Sequence, residues 1–142
     1  MKTLISILAL AAASGTALAQ NTPVGLWKTL ADDGTSPKSL VRVSENGGSL
    51  SGRIEKLFDP AQQDAKCDKC TGVRKDQPLK GLTLFDNTRA DGADAWSGGE
   101  ILDPATGKVF KLRLKAIDGG SKLEMRGYAG PLYRTQTWQR VE

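Results

Sequence analysis

The sequence predicts an all-β protein: an eight-stranded antiparallel up-and-down barrel with no long helix. Three observations predict it. Apolar residues recur mostly with a period of two, the repeat of a sheet that buries one face. The runs are short and joined mostly by Gly-, Asp- and Pro-containing turns, which makes sequential antiparallel neighbours of them. Glycine is abundant, 16 of 142 residues, or about 11 % against a usual ~7 %.

The first strand is expected over Val24–Leu30 (VGLWKTL), with Val24, Leu26 and Leu30 on one side and Gly25 and Trp27 on the other. Asp32-Asp33-Gly34 is a turn signal. Lys38–Glu45 (KSLVRVSE) alternates Val41 and Val43 against Arg42 and Ser44. Asn46-Gly47-Gly48 then makes a hairpin turn, because these residues accept positive φ at little cost. Ser49–Phe58 resumes an extended pattern. The longest break, Asp59–Lys80, holds Pro60, both cysteines, Gly72 and Pro78, and leaves room for at most a turn of helix. A connection of that length in a small domain is usually functional or stapled. Strands resume at Gly81–Asp86 and at Ala93–Leu102, where Gly98-Gly99 forecasts a bulge or sharp bend. Lys108–Lys115 places Phe110, Leu112 and Leu114 against Lys111, Arg113 and Lys115. Asp118-Gly119-Gly120 turns the chain into Lys122–Tyr128, and Gly130-Pro131 into the last strand, Leu132–Val141.

Eight short strands must bury one face and dispose of two edges. Closing into a barrel does both. A β-sandwich uses the same strands but Greek-key connections, and the short sequential turns favour the meander.

The N-terminus reads as an address. Lys2 precedes an apolar run from Leu4 to Ala13, and Ala17-Leu18-Ala19 is an A-x-A cleavage site. The run is about 10 residues, short of the ~20 a membrane span needs. The expected organisation is a signal peptide over 1–19 and one barrel domain over 20–142, periplasmic or secreted, with no membrane span. In an oxidising compartment Cys67 and Cys70, in DAKCDKCTG, read first as a structural disulfide stapling the 59–80 loop. A redox-active CxxC is a second reading, although the surroundings are turn-like. Half a zinc site is a third, although no His or third Cys exists to complete it.

The absence of histidine excludes a Ser-His-Asp triad, a Cys-His dyad and an HExxH zinc site. Lys and Arg number 20 against 16 Asp and Glu, a net charge of +4. Three function classes remain. A small-ligand barrel, binding an apolar or amphipathic molecule, anionic ones included, without catalysis, would draw its lining from Trp96, Phe110, Leu112, Met125 and Tyr128, with Arg126 or Arg134 as the anchor. Met125 and Tyr128 differ in phase, so both face inward only if Gly127 shifts the register. An envelope protein-interaction module would use the 59–80 loop with Arg53, Lys56, Lys66, Lys69, Arg74, Lys75 and Lys80, diluted by Asp59, Asp64, Asp68 and Asp76. A carboxylate-based hydrolase would use Glu55, Asp59, Glu100 or Asp103. However, Asp59 and Asp103 precede Pro, where Asp favours its own turn. The ligand-binding reading leads; no catalytic residue, metal or cofactor is assigned. Nucleic acid is not an expected partner, because the basic residues are not interleaved with stacking aromatics.

Gly25-Leu26-Trp27 on the first strand, with a basic residue on the last, resembles the signature of lipocalin-like barrels. The resemblance implies a Trp27 plug at one end under a cation–π contact from Arg140, with Arg134 in reserve. Over the whole mature chain, VGLWKT (24–29), PKSLVRV (37–43), GRIEKLFDP (52–60), DAKCDKCTG (64–72), WSGGEILDPATGK (96–108), LEMRGYAG (123–130) and RTQTWQRV (134–141) are similar to an uncharacterised exported bacterial family, domain of unknown function 2147. That resemblance implies export and a small barrel. It implies no established activity.

Overall fold

A computed structural model describes residues 21–142; the expected signal segment 1–19 and its expected cleavage point lie outside the described residues. The eight strands are β1 (Gly25–Leu30), β2 (Pro37–Asn46), β3 (Ser49–Leu57), β4 (Thr83–Ala90), β5 (Ala95–Asp103), β6 (Lys108–Ile117), β7 (Lys122–Ala129) and β8 (Leu132–Arg140). Each pairs antiparallel with the next, and β8 returns to β1, closing the barrel. Up-and-down connectivity follows from the turn chemistry. The longest link among the described residues, 58–82, carries two 3-10 turns, at Pro60–Gln62 and Gly72–Arg74.

Alternation puts Trp27, Val41, Val43, Leu50, Leu114, Leu123 and Trp138 inside, all nearly inaccessible to solvent. Leu26 points the other way and is buried under the chain that follows β8, donating to Glu142 O at 3.1 Å. Register shifts interrupt the alternation, among them one in β3 and one in β5. In β3 the register shifts opposite Leu40/Val41, so Glu55 is the extra residue and Leu57 returns inward. In β5 it shifts between Ser97 and Glu100, at the expected Gly98-Gly99 bend.

β4 is longer than the sequence suggested, running on from Asp86 to Ala90. Asn87 adopts φ 57°, which breaks the period-two pattern there. Beyond the kink Thr88 is fully buried, and its hydroxyl donates to Gly98 O at 3.0 Å. The β4–β5 register is confined to Arg89↔Ser97 and Ala90↔Trp96, leaving a seam along the rest of these strands.

The barrel has two different ends. One gathers the start of β1, the β2–β3, β4–β5 and β6–β7 turns and the end of β8. The other gathers the β1–β2 link, the 58–82 link and the β5–β6 and β7–β8 turns.

Candidate functional site

Trp27 seals the first end. It is fully buried, and its Nε1–H donates to Pro23 O at 2.8 Å. Arg140 pairs with it across the β1–β8 closure and stands 4.3 Å from the ring centroid. The guanidinium donates to Gly120 O (2.6 Å), Val24 O (2.9 Å), Glu142 O (3.2 Å) and Thr22 O. Backbone carbonyls thus receive a partly buried cation whose pKa burial pulls below the ordinary arginine value. Gly25 is required beside it, because an added Cβ would meet Glu142 O at 2.4 Å and Arg140 Nη1 at 2.6 Å.

The second end is hollow. A cavity of about 610 Å³ lies between the walls and the 58–82 link. Ile54, Leu84, Ile101, Phe110, Met125 and Trp138 make its apolar wall, and Gly127 leaves room beside Phe110. The β8 alternation that buries Trp138 also turns Gln136 and Arg134 toward this space. Gln136 Oε1 accepts from Trp138 Nε1–H at 3.2 Å. On the opposite wall Thr29 and Ser39, both buried, share a hydroxyl contact of 2.6 Å. Lys38, Lys66, Lys69 and Arg134 stand around the mouth with Asp68 and Asp103. Arg134 is largely exposed and faces Asp32 at 3.8 Å.

The stapled loop is the roof of this cavity. Cys67 and Cys70 are disulfide-bonded, with Cα atoms 5.3 Å apart, and both are buried in the core. Thiolate ligation of zinc is thereby removed, and burial withholds the sulfurs from exchange. The loop bonds to itself, with Cys67 N–H donating to Gln77 O (2.8 Å) and Leu79 N–H to Ala65 O (2.9 Å). It also docks on the β5–β6 turn. A Cβ at Gly107 would come within 1.8 Å of Lys69 O, so only glycine lets the two backbones meet.

Of the residues expected to bind ligand, Phe110, Met125 and Arg134 line the cavity. Three do not. Trp96 pairs with Ala90 and Leu114 toward the plugged end, packed against the core there. Arg126 and Tyr128 lie on the outer wall, because β7 keeps strict alternation through Gly127 and no register shift occurs. Arg126 donates to Glu124 Oε1 (3.2 Å) and Thr135 Oγ1 (3.1 Å) and stacks on Tyr133 (4.5 Å). It is an ordinary paired surface arginine, and of the two expected anchors only Arg134 stands at the cavity mouth.

Three of the four carboxylates considered for hydrolysis have structural posts. Glu55 pairs with Arg42 at 3.0 Å. Asp59 accepts from Ala61 N–H at 2.9 Å, and Asp103 accepts from Ala105 N–H and Thr106 Oγ1, each at 3.0 Å. Glu100 sits on the outer wall opposite Lys111. Sequence reading missed Gln136, the Thr29–Ser39 pair and the roofing role of the loop. A signal for the first was present: Gln136 shares the phase of Trp138, so a polar residue faced inward from a strand with a buried end.

Comparison with known proteins agrees with this architecture. The family model described as "Uncharacterized protein conserved in bacteria (DUF2147)" matches residues 25–140. Among solved structures, the Helicobacter pylori protein HP1028, described as belonging to the lipocalin family, superposes with a TM-score of 0.72 at 20 % identity, covering 84 % of this chain and 82 % of that one. At that identity the likeness concerns the fold. No curated protein sequence matches significantly.

Proposed function

We propose that this chain, which belongs to the DUF2147 family, is an exported barrel that binds one small amphipathic ligand, apolar end inward, without catalysing a reaction on it. The observation that carries this reading is the half-hollow interior. An eight-stranded barrel is just wide enough either to fill itself or to hold one small molecule. Here the plugged half is filled, and the mouth half keeps about 610 Å³ against apolar walls, within the range of small-ligand sites. The cations at the mouth suit a carboxylate or another anionic head group, with Arg134 best placed because it shares the inward phase of Gln136 and Trp138. Export is supported by the leader-like first residues and by a buried disulfide, a bond that persists in oxidising compartments.

The test is a titration of intrinsic tryptophan fluorescence with fatty acids and other amphipathic anions. Trp138 lines the cavity and Trp27 is sealed away from it, so occupancy should change the emission through Trp138. Arg134→Gln should weaken anionic ligands about 10- to 100-fold, on the scale of one charge-assisted hydrogen bond. Arg126→Gln, on the outer wall, should leave affinity unchanged. A folded protein that binds none of these ligands, or an Arg126 variant that loses binding while the Arg134 variant keeps it, overturns the reading.

A further inference from the structure

The outer face of β6–β8 has no part in the cavity, and its composition is unusual. Lys111, Arg113 and Lys115 project from β6 on the side opposite Leu112 and Leu114, all three exposed. The register sets Arg113 directly across from Arg126 on β7. Like charges directly opposite on a sheet destabilise it. Two carboxylates share the face, Glu100 across from Lys111 and Glu124 across from Lys115. Glu124 is engaged by Arg126 at 3.2 Å, and among the described residues no ion pair reaches Lys111, Arg113 or Lys115.

The mouth end of these strands carries apolar side chains, Val109 and Tyr133 on the outer face and Leu132 on the rim, in the phase of Arg134. Of the five large hydrophobic residues most exposed among those described, Val109, Leu132 and Tyr133 lie at the mouth end of β6 and β8, 43 %, 73 % and 56 % accessible. Val109 shares the outward row of the three β6 cations. Tyr133 stacks with Tyr128, ring centroids 5.5 Å apart, one step from Lys111. An aromatic and aliphatic tip followed by a row of unpaired cations is the arrangement that seats a protein at a membrane–water interface.

We infer that the β6–β8 face docks the barrel on an anionic lipid surface, with Leu132 and Tyr133 entering the head-group region and Lys111, Arg113 and Lys115 meeting lipid phosphates. The lipid surface is favoured over a soluble polyanion because the apolar tip serves only the former. The inference stands apart from the ligand reading, although it would set the cavity mouth beside the bilayer.

The test is sedimentation of the ligand-free protein with vesicles of phosphatidylcholine and phosphatidylglycerol, against vesicles of phosphatidylcholine alone. The protein should bind the anionic vesicles, and salt should weaken it, because exposed charges are screened. The Lys111→Gln/Arg113→Gln/Lys115→Gln variant should lose about 100-fold in partitioning, about 5-fold for each cation. Leu132→Ser/Tyr133→Ser should lose binding while keeping all three cations. Lys28→Gln/Lys56→Gln, with cations removed elsewhere, should bind like wild type. Circular dichroism of each variant establishes that it is folded. Four results overturn the inference: no binding of the wild type to anionic vesicles, retention by the triple variant, retention by the Leu132/Tyr133 variant, or full displacement by soluble glycerol phosphate. None of them bears on fatty-acid titration in the absence of vesicles, so the two readings fail separately.

Discussion

Replacing Trp27 with Ala tests the plug most directly. A tryptophan side chain buries about 200 Å², and Trp27 is fully buried. At about 25 cal/mol per Å² its burial is worth about 5 kcal/mol, of which an alanine methyl keeps about 1. Loss of the ring under Arg140 removes a cation–π contact worth about 1 kcal/mol. The guanidinium keeps its carbonyl acceptors at Gly120, Val24 and Glu142, so no buried charge is orphaned. The expected cost is therefore about 4–5 kcal/mol, the upper part of the range for large-to-small aromatic replacements. Trp27→Phe keeps a ring beneath Arg140 and loses chiefly the bond to Pro23 O, and should cost about 1–2 kcal/mol. Urea unfolding followed by circular dichroism, with linear extrapolation and an unchanged slope, measures both. If Trp27→Ala costs under about 1 kcal/mol, burial at this end does not hold the barrel. If Phe costs as much as Ala, the hydrogen bond rather than the packing is responsible.

Three other outcomes follow from the same structure. Replacing Cys67 and Cys70 together with Ser should cost about 2 kcal/mol, the chain-entropy value for so small a ring, and thiol counting on the unreduced, denatured wild type should find none free. Gly107→Val should displace the roof, because its side chain meets Lys69 O and the residue holds φ 74°; proteolysis within 59–80 should accelerate, and unchanged resistance would detach the loop from the β5–β6 turn. Asp33 is lowered from its ordinary 3.8 to about 2, chiefly by the Ser36 hydroxyl and then by the Ser36 and Thr35 backbone N–H groups. Because the folded value is depressed, its stabilising effect is present above the unfolded value and lost as pH falls toward 2. Carboxyl NMR should show the Asp33 titration moving up toward 3.8 in Ser36→Ala, and no movement would remove the hydroxyl as the cause.

Much of the barrel was readable because a two-residue period and a turn residue each act locally. Val41 and Val43 alternate with Arg42 and Ser44 in the sequence and in space, and Gly98-Gly99 bends the strand where two glycines foretold it. The errors came where one residue sets the phase for the rest. Asn87 tolerates a left-handed φ, but no Gly or Pro beside it marks a bend, and β4 runs on through it to Ala90. Tyr128 joins Met125 inside only if Gly127 shifts the register, and it does not; Arg126, expected as an anchor, shares the phase of Tyr128 and lies outside with it. Phe110 and Met125 reach the cavity by simple alternation from Leu112 and Leu123. The roof was not readable, because the contact of Lys69 with Gly107 joins segments far apart in sequence and leaves no periodic trace.

The seam between β4 and β5 has a consequence for how the protein fails. A closed barrel escapes edge-to-edge association only where its ladder is continuous. Between Asp86–Thr88 and Gly98–Glu100 a kinked asparagine, a glycine pair and one threonine hydroxyl stand where ladder bonds would be. Amides along this stretch should exchange with deuterium sooner than those of β6–β7, whose pairing is unbroken from Lys111 to Ile117. On heating, the wall should unzip here first, freeing two neighbouring strands as templates for other copies. Aggregates of this protein would then be built from β4 and β5, while the plugged end is still folded.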